Sequence, residues 1–193
     1  MNRDTIKKIR KIYLASSILI GILSPILCIY LFPEFDPRTQ PISYFGILQN
    51  TSFIFIISLI IFSIAIFWNG ITVIEKLIKK KKYKFWLQAI LLIASCNLFL
   101  TGIITMDFGP FHKIPALVFF LTYNVFIFLF GLARSRSYVR KGLFSVLTGS
   151  CMLLSSLLLI PFPSYGVAEI VYILLIFFWN IMMWLQQQKL ITI

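Results

Sequence analysis

The chain has 193 residues, of which 60% are hydrophobic and only 12% are charged, and its mean hydropathy is +0.94. Soluble domains are about half apolar and about a quarter charged, so this composition excludes an ordinary soluble domain and indicates a polytopic membrane protein. A net charge of +12 would suggest nucleic-acid binding in a soluble protein. In a membrane protein the positions of the basic residues report topology instead, so no nucleic-acid partner is expected.

Six apolar segments have about the 20 residues that cross a bilayer. Because backbone groups in lipid must be satisfied within the segment, we predict an all-α fold, a six-transmembrane-helix bundle forming one domain over residues 1–193. The predicted spans are residues 12–32, 48–68, 85–105, 114–133, 143–162 and 167–185. The first is too long for a signal-peptide core and lacks a small-residue cleavage site, so we predict that it is retained.

Basic residues are concentrated on one side of this six-span arrangement. All but two of the 18 basic residues fall in the N-terminal segment, the second and fourth connections and the C-terminal segment, and the exceptions are Arg38 and Lys113. Because basic loops stay in the cytoplasm, we predict cytoplasmic termini and a location in the plasma (cytoplasmic) membrane. The opposite, outer side holds most of the acidic residues: Glu34, Asp36, Asp107 and Glu169.

The third connection, Met106–Pro115, combines two scarce polar groups in a turn. Gly109 and Pro110 favour a tight turn, and the segment holds Asp107 and the only histidine, His112. His112 is the one side chain whose ordinary pKa lies near neutrality. With one histidine, and with all three cysteines inside apolar segments, no metal and no other cofactor is predicted.

Two further segments on the outer side contain candidate site residues, the first connection and the beginning of the sixth span. The first connection contains three prolines and a turn signal at Asp36-Pro37-Arg38, and Ser43 near its end is a candidate N-cap of the second span. Glu169 begins the sixth span, where an ionisable residue commonly marks a functional or paired site. Glu169 has two other interpretations, contact with interfacial water or an ion pair with Arg38 or Lys113.

Uncharged polar residues within the spans are expected to form hydrogen bonds between helices. They are Asn69, Gln88, Ser95, Asn97, Thr101, Thr105, Thr122, Asn124 and Asn180. The three cysteines, Cys28, Cys96 and Cys151, are expected to be small core residues.

Three motifs resemble a bacterial and archaeal six-span membrane family of unknown function, which is distantly similar to the DRAM/Sfk-type membrane proteins. They are Asp36-Pro37-Arg38 with Pro41-Ile42-Ser43 and Gly46; residues 102–120 with His112, Ala116 and Phe119-Phe120; and Glu169 with Trp179. The resemblance covers nearly the whole chain. It implies a six-helix bundle with cytoplasmic termini and no settled reaction.

The leading functional hypothesis is an outward-facing polar pocket that binds a lipid headgroup or a membrane-protein partner. Its candidate residues are Asp36, Ser43, Asp107, His112 and Glu169. One alternative is a membrane-embedded lipid hydrolase or transferase that uses His112 with a carboxylate as general base. A second alternative is a small transporter, for which Asn97 and Thr101 are the supporting residues. Whether the protein is an enzyme stays open.

Overall fold

The computed structural model describes residues 3–136, 139–162 and 164–187, without the side chains of residues 3–11 and 14. Within these residues the chain is helical and contains no strand. The α-helices are α1 (Arg3–Leu31), α2 (Ser52–Leu77), α3 (Lys81–Ile103), α4 (Pro110–Ser135), α5 (Val139–Ser155) and α6 (Gly166–Gln187). Short 3₁₀ helices lie at Ile42–Gly46, Met106–Phe108 and Ser156–Leu159.

The helices have the length and composition of membrane spans. Five are long and apolar enough to cross a bilayer, Ser52–Leu77, Lys81–Ile103, Pro110–Ser135, Val139–Leu159 and Gly166–Gln187, and α1 contributes a shorter apolar stretch, Ala15–Leu31. Large apolar side chains also face outward at three- and four-residue spacing along α4, at Ile114, Leu117, Leu121, Val125 and Leu129. An apolar outer face suits lipid rather than water. The predicted all-helical membrane protein is confirmed.

Helix boundaries differ from the predicted spans, most clearly in α2 and α3. The second predicted span began at residue 48 and ended at residue 68, whereas α2 runs from Ser52 to Leu77. The third was predicted from residue 85, whereas α3 begins at Lys81. Hydropathy detects the part of a helix that lies in hydrocarbon, while backbone hydrogen bonding continues into polar residues whose long side chains reach the interface.

Consecutive helices pack against each other, and α6 also contacts α1 and α2. Most connections are short, and across the longer first connection Tyr13 and Ser24 of α1 bond Ile61 and Ser58 of α2, so neighbouring helices are antiparallel. We call the side with the α1–α2, α3–α4 and α5–α6 connections the connection end, and the opposite side the basic end. Trp179 of α6 lies at the centre of the core, with edge-on ring contacts to Tyr123, Phe126 and Phe130 of α4.

Glycines allow α4 and α5 to approach to backbone contact. A Cβ atom on Gly131 would lie 2.6 Å from the backbone nitrogen of Val146 and 2.9 Å from the carbonyl oxygen of Gly142. A Cβ atom on Gly142 would overlap the Gly131 carbonyl oxygen and the Ser135 backbone nitrogen. Real Cβ atoms do not come this close to backbone, so this helix pair depends on its small residues.

Polar side chains in the spans follow the prediction only in part. Asn69 donates to Asn180 (2.9 Å), which donates to the Tyr123 hydroxyl (2.8 Å), and this network links α2, α6 and α4. Asn124 donates to the Gly149 carbonyl of α5 at 2.8 Å.

Gln88 of α3 donates to Glu75 of α2 at 2.8 Å, but three other polar residues of α3 behave differently. Ser95, Asn97 and Thr101 donate to carbonyl groups one turn earlier in their own helix, which satisfies them without a neighbouring helix. The expectation of interhelical bonds is wrong for these three, and also for Thr122, whose hydroxyl donates to the Val118 carbonyl oxygen within α4. The expectation of buried cysteines holds for Cys28 only, because Cys96 and Cys151 are exposed on the outer surface of the helices.

Candidate functional site

Glu169 in the first turn of α6 holds the 3₁₀ helix Ile42–Gly46 of the first connection. Its carboxylate accepts a hydrogen bond from the backbone N–H of Ile42 at 2.7 Å, and the backbone N–H of Ser43 also donates to it. The first N–H groups of a helix have no partner within it, and a carboxylate is a strong acceptor for them. Glu169 therefore acts as the N-terminal cap of a segment more than 120 residues away in the sequence.

Two small residues next to α6 bring the same connection close. The Ser164 hydroxyl donates to the Pro37 carbonyl oxygen at 2.6 Å. A Cβ atom on Gly166 would lie 2.6 Å from that oxygen and would overlap the carbonyl oxygen of Gln40. The absence of a side chain at Gly166 lets the first connection lie directly against the beginning of α6, where Glu169 reaches its amide groups.

A cavity of about 80 Å³ lies beneath this contact. Its lining is mainly apolar, and comes from α1, α2, α3, α4, α6 and the 3₁₀ helix of the first connection: Gly21, Pro25, Ile42, Phe55, Leu59, Phe62, Leu98, Ala116, Phe119, Phe120, Ile173, Ile176 and Phe177. The polar lining residues are Ser24, Ser43, Ser58, Thr101 and Glu169. This volume is several times the roughly 10–15 Å³ that one water molecule requires.

The cavity is polar at one end and apolar along its length. Its lining on α6 extends from Glu169 to Phe177, about 12 Å along the helix axis. Ser24 and Ser58 are already paired with each other at 2.8 Å. The Glu169 carboxyl group, which can accept more hydrogen bonds than the two backbone donors use, is the acidic group that lines the cavity. This arrangement suits an amphiphilic molecule with hydrogen-bond donors in its head.

The structure brings together two of the five residues predicted to line a pocket. Ser43 and Glu169 both line the cavity. Ser43 does not cap the second span, because α2 begins only at Ser52 and Thr51 occupies its N-cap position. Glu169 bonds backbone N–H groups, and the alternative interpretation of an ion pair with Arg38 or Lys113 is not observed among the described residues.

His112 is buried beside the cavity lining without being part of it. It lies on the same face of α4 as Ala116, one turn nearer the connection end. Its Nδ1 is hydrogen-bonded to the Ile104 carbonyl oxygen at the end of α3, and its buried Nε2 has no partner among the described residues. The ring therefore joins α3 to α4 through a carbonyl group, and no described contact joins it to a carboxylate.

The two aspartates lie in exposed turns. The Asp36 carboxylate accepts the backbone N–H of Arg38 at 2.9 Å, which closes a local turn. Asp107 lies in the 3₁₀ helix Met106–Phe108, and its carboxylate accepts the Thr105 hydroxyl at 3.4 Å. Each carboxylate organises its own connection, and neither residue lines the cavity.

Sequence reasoning missed the apolar wall of the cavity. Most of its members are ordinary span residues whose identity does not distinguish a cavity wall from a packed core. One usable signal was present in α1, where Gly21, Ser24 and Pro25 place small side chains on one face at three- and four-residue spacing. Small residues at such spacing either bring helices together or leave space between them.

Comparison with protein families gives one match. A family model described as "Protein of unknown function (DUF998)" matches residues 16–186. Comparison with curated proteins and with solved structures gives no match.

Proposed function

We propose that this chain, which belongs to the DUF998 family of proteins of unknown function, binds an amphiphilic membrane molecule in the cavity at the connection end. The apolar part of the ligand would lie along α6 towards Phe177, and its head would donate hydrogen bonds to Glu169 beside Ser43. The observation that supports this proposal is an elongated apolar cavity with one carboxylate at its end. Membrane lipids with hydroxyl or amine groups in the head fit this chemistry.

We further propose that residues 1–193 form one bundle with six spans, in which α1 crosses the membrane along with the five longer helices. In this topology both termini and the basic end face the cytoplasm, and the cavity faces the outer half of the plasma membrane. The distribution of basic residues supports this orientation. The distant similarity to the DRAM/Sfk-type proteins, and binding of a membrane-protein partner, stay predictions.

The hydrolase or transferase and the transporter also stay predictions. A histidine that acts as general base needs a free nitrogen within reach of the reacting group. His112 Nδ1 is bonded to a carbonyl group, its Nε2 has no partner among the described residues but is buried, and the described structure places no carboxylate against the ring. Asn97 and Thr101 bond within α3, so they give the transporter no polar path of their own.

Filling the cavity tests the proposal. Ala116 lines it, so Ala116→Phe should occupy the space that the ligand needs, and we expect at least about a tenfold loss of bound lipid. The measurement is native mass spectrometry of protein purified in a mild detergent, with quantification of lipid-sized mass adducts. Leu117→Phe is the matched control, because Leu117 is 59% exposed on the outer face of α4. Equal lipid retention by both variants would contradict the proposal.

A further inference from the structure

Arg134 places a guanidinium group inside the basic end of the helices. It lies in the last turn of α4, and it is only 5% exposed. Its described polar contact is with the Met183 sulfur of α6, at 3.8 Å. A guanidinium has five N–H donors and a thioether sulfur is a weak acceptor, so this contact leaves most of the hydrogen-bonding capacity unused.

None of the acidic residues whose side chains the structure describes forms an ion pair with Arg134. Glu75 is bonded to Lys84 at 2.5 Å and to Gln88 at 2.8 Å. The four other described acidic residues, Glu34, Asp36, Asp107 and Glu169, belong to the connection end. The 26-residue α4 separates that end from Arg134 by roughly 36 Å. A buried charge without a counter-charge is strongly unfavourable, and the described side chains supply none for Arg134, so an anion bound here would stabilise the protein.

The helix turns that carry Arg134 and Met183 also hold buried apolar and polar side chains. Met183 and Phe130, one turn before Arg134, are fully buried. In the same last turns of α6, the indole N–H of Trp184 and the side-chain amide of Gln186 are buried without a described partner.

Other cations at this end are used differently. The Arg136 guanidinium donates to the Tyr83 hydroxyl, and it stacks over the Tyr83 ring at 5.1 Å from the centroid. Arg136 therefore ties the end of α4 to the beginning of α3. Among the arginines whose side chains are described at this end, Arg134 is the buried one, and its described partner is a weak acceptor.

We propose that Arg134 binds the phosphate group of an anionic membrane lipid at the basic end, at a site separate from the cavity. The last turn of a membrane-length helix lies at headgroup level, where cationic side chains attract anionic lipids. A phosphate diester offers oxygens that match the paired N–H groups of the guanidinium. The shared chemistry is a phosphate oxyanion, and the experiment separates a lipid from free phosphate.

The experiment compares the unfolding temperature of the full chain in phosphatidylcholine nanodiscs with that in nanodiscs that also contain phosphatidylglycerol. For wild type we expect phosphatidylglycerol to raise the unfolding temperature and to bind at least about tenfold more tightly than phosphatidylcholine. Arg134→Met should lose this increment. It should also unfold at a higher temperature than wild type in phosphatidylcholine alone, because it removes an uncompensated buried charge.

Matched variants make the test specific. Arg140→Gln removes a charge from an exposed position in the first turn of α5, and it should keep the phosphatidylglycerol increment. Arg134→Lys keeps the charge without the paired N–H groups, and should bind phosphatidylglycerol with intermediate affinity even if Arg134→Met does not fold. Asp4→Asn should keep the increment and behave like wild type in phosphatidylcholine.

Three results would overturn the proposal. One is an equal phosphatidylglycerol increment in wild type, Arg134→Met and Arg134→Lys. Another is full stabilisation of wild type by inorganic phosphate in phosphatidylcholine nanodiscs, which would assign the site to a soluble anion. The third is an unfolding temperature of Asp4→Asn in phosphatidylcholine that falls below that of wild type and equals that of Arg134→Met. This result would make Asp4 the counter-charge of Arg134.

Discussion

Replacing Gly142 by alanine is expected to lower the free energy of unfolding by about 2–3 kcal/mol and to reduce the yield of folded protein. The added Cβ atom would overlap the Gly131 carbonyl oxygen and the Ser135 backbone nitrogen, so α4 and α5 must separate. Backbone atoms, unlike the end of a flexible side chain, cannot move aside alone. Alanine has the higher helix propensity, by about 1 kcal/mol, and the expected loss is net of that gain.

Gly46→Ala is the matched control for this prediction. The nearest atom to a Cβ at Gly46 is Phe55 Cδ1 at 3.5 Å, an ordinary van der Waals contact. Unfolding by sodium dodecyl sulfate from mixed micelles, followed by circular dichroism, measures both variants on one scale. If Gly142→Ala proved as stable as Gly46→Ala, the close α4–α5 contact would not exist.

Replacing Glu169 by alanine is expected to release the first connection from α6. The backbone N–H groups of Ile42 and Ser43 would lose their acceptor, at a cost of about 1–3 kcal/mol for buried donors left unpaired. Hydrogen exchange measured by mass spectrometry should become faster in peptides covering residues 41–46. Lipid retention should fall in the same variant, because the carboxylate is also the polar end of the proposed ligand site.

Glu169→Gln separates the two roles of this side chain. The amide oxygen of glutamine can still accept a backbone N–H, so we expect hydrogen exchange in residues 41–46 to stay near the wild-type rate. Ligand binding should still weaken, because the amide presents an NH₂ donor in place of an acceptor oxygen. Unchanged exchange in Glu169→Ala would show that the connection is held by other contacts, such as Ser164 with Pro37.

The helices were predictable because hydropathy and the need to satisfy backbone hydrogen bonds in lipid both predict them. Apolar segments of about 20 residues must be helical in lipid, and each predicted span overlaps an observed helix. The ends were less predictable, as Lys81 at the beginning of α3 shows. In a hydropathy profile a lysine ends the apolar segment, but the backbone at a lysine can still belong to the helix.

The site was less predictable, because its contacts depend on geometry that single residues do not encode. Glu169 was found because a carboxylate at the beginning of a span is rare, but its backbone partner at Ile42 carries no side-chain signal. Asp36 and Asp107 drew attention because acidic residues are scarce, although each forms a local turn that any soluble loop also uses. The scarcity of a residue type singles out a position in the sequence, but it does not predict which residues will contact that position.

The most direct test of the proposed cavity is photolabelling by a lipid with a diazirine at the end of its acyl chain. Labelled peptides from protein in native membranes are identified by mass spectrometry. We predict label on cavity residues, in particular Gly21, Phe62 and Phe177, and its loss in Ala116→Phe. Label confined to the outward-facing residues of α4, such as Leu117 and Leu121, and unchanged in Ala116→Phe, would contradict a lipid in the cavity.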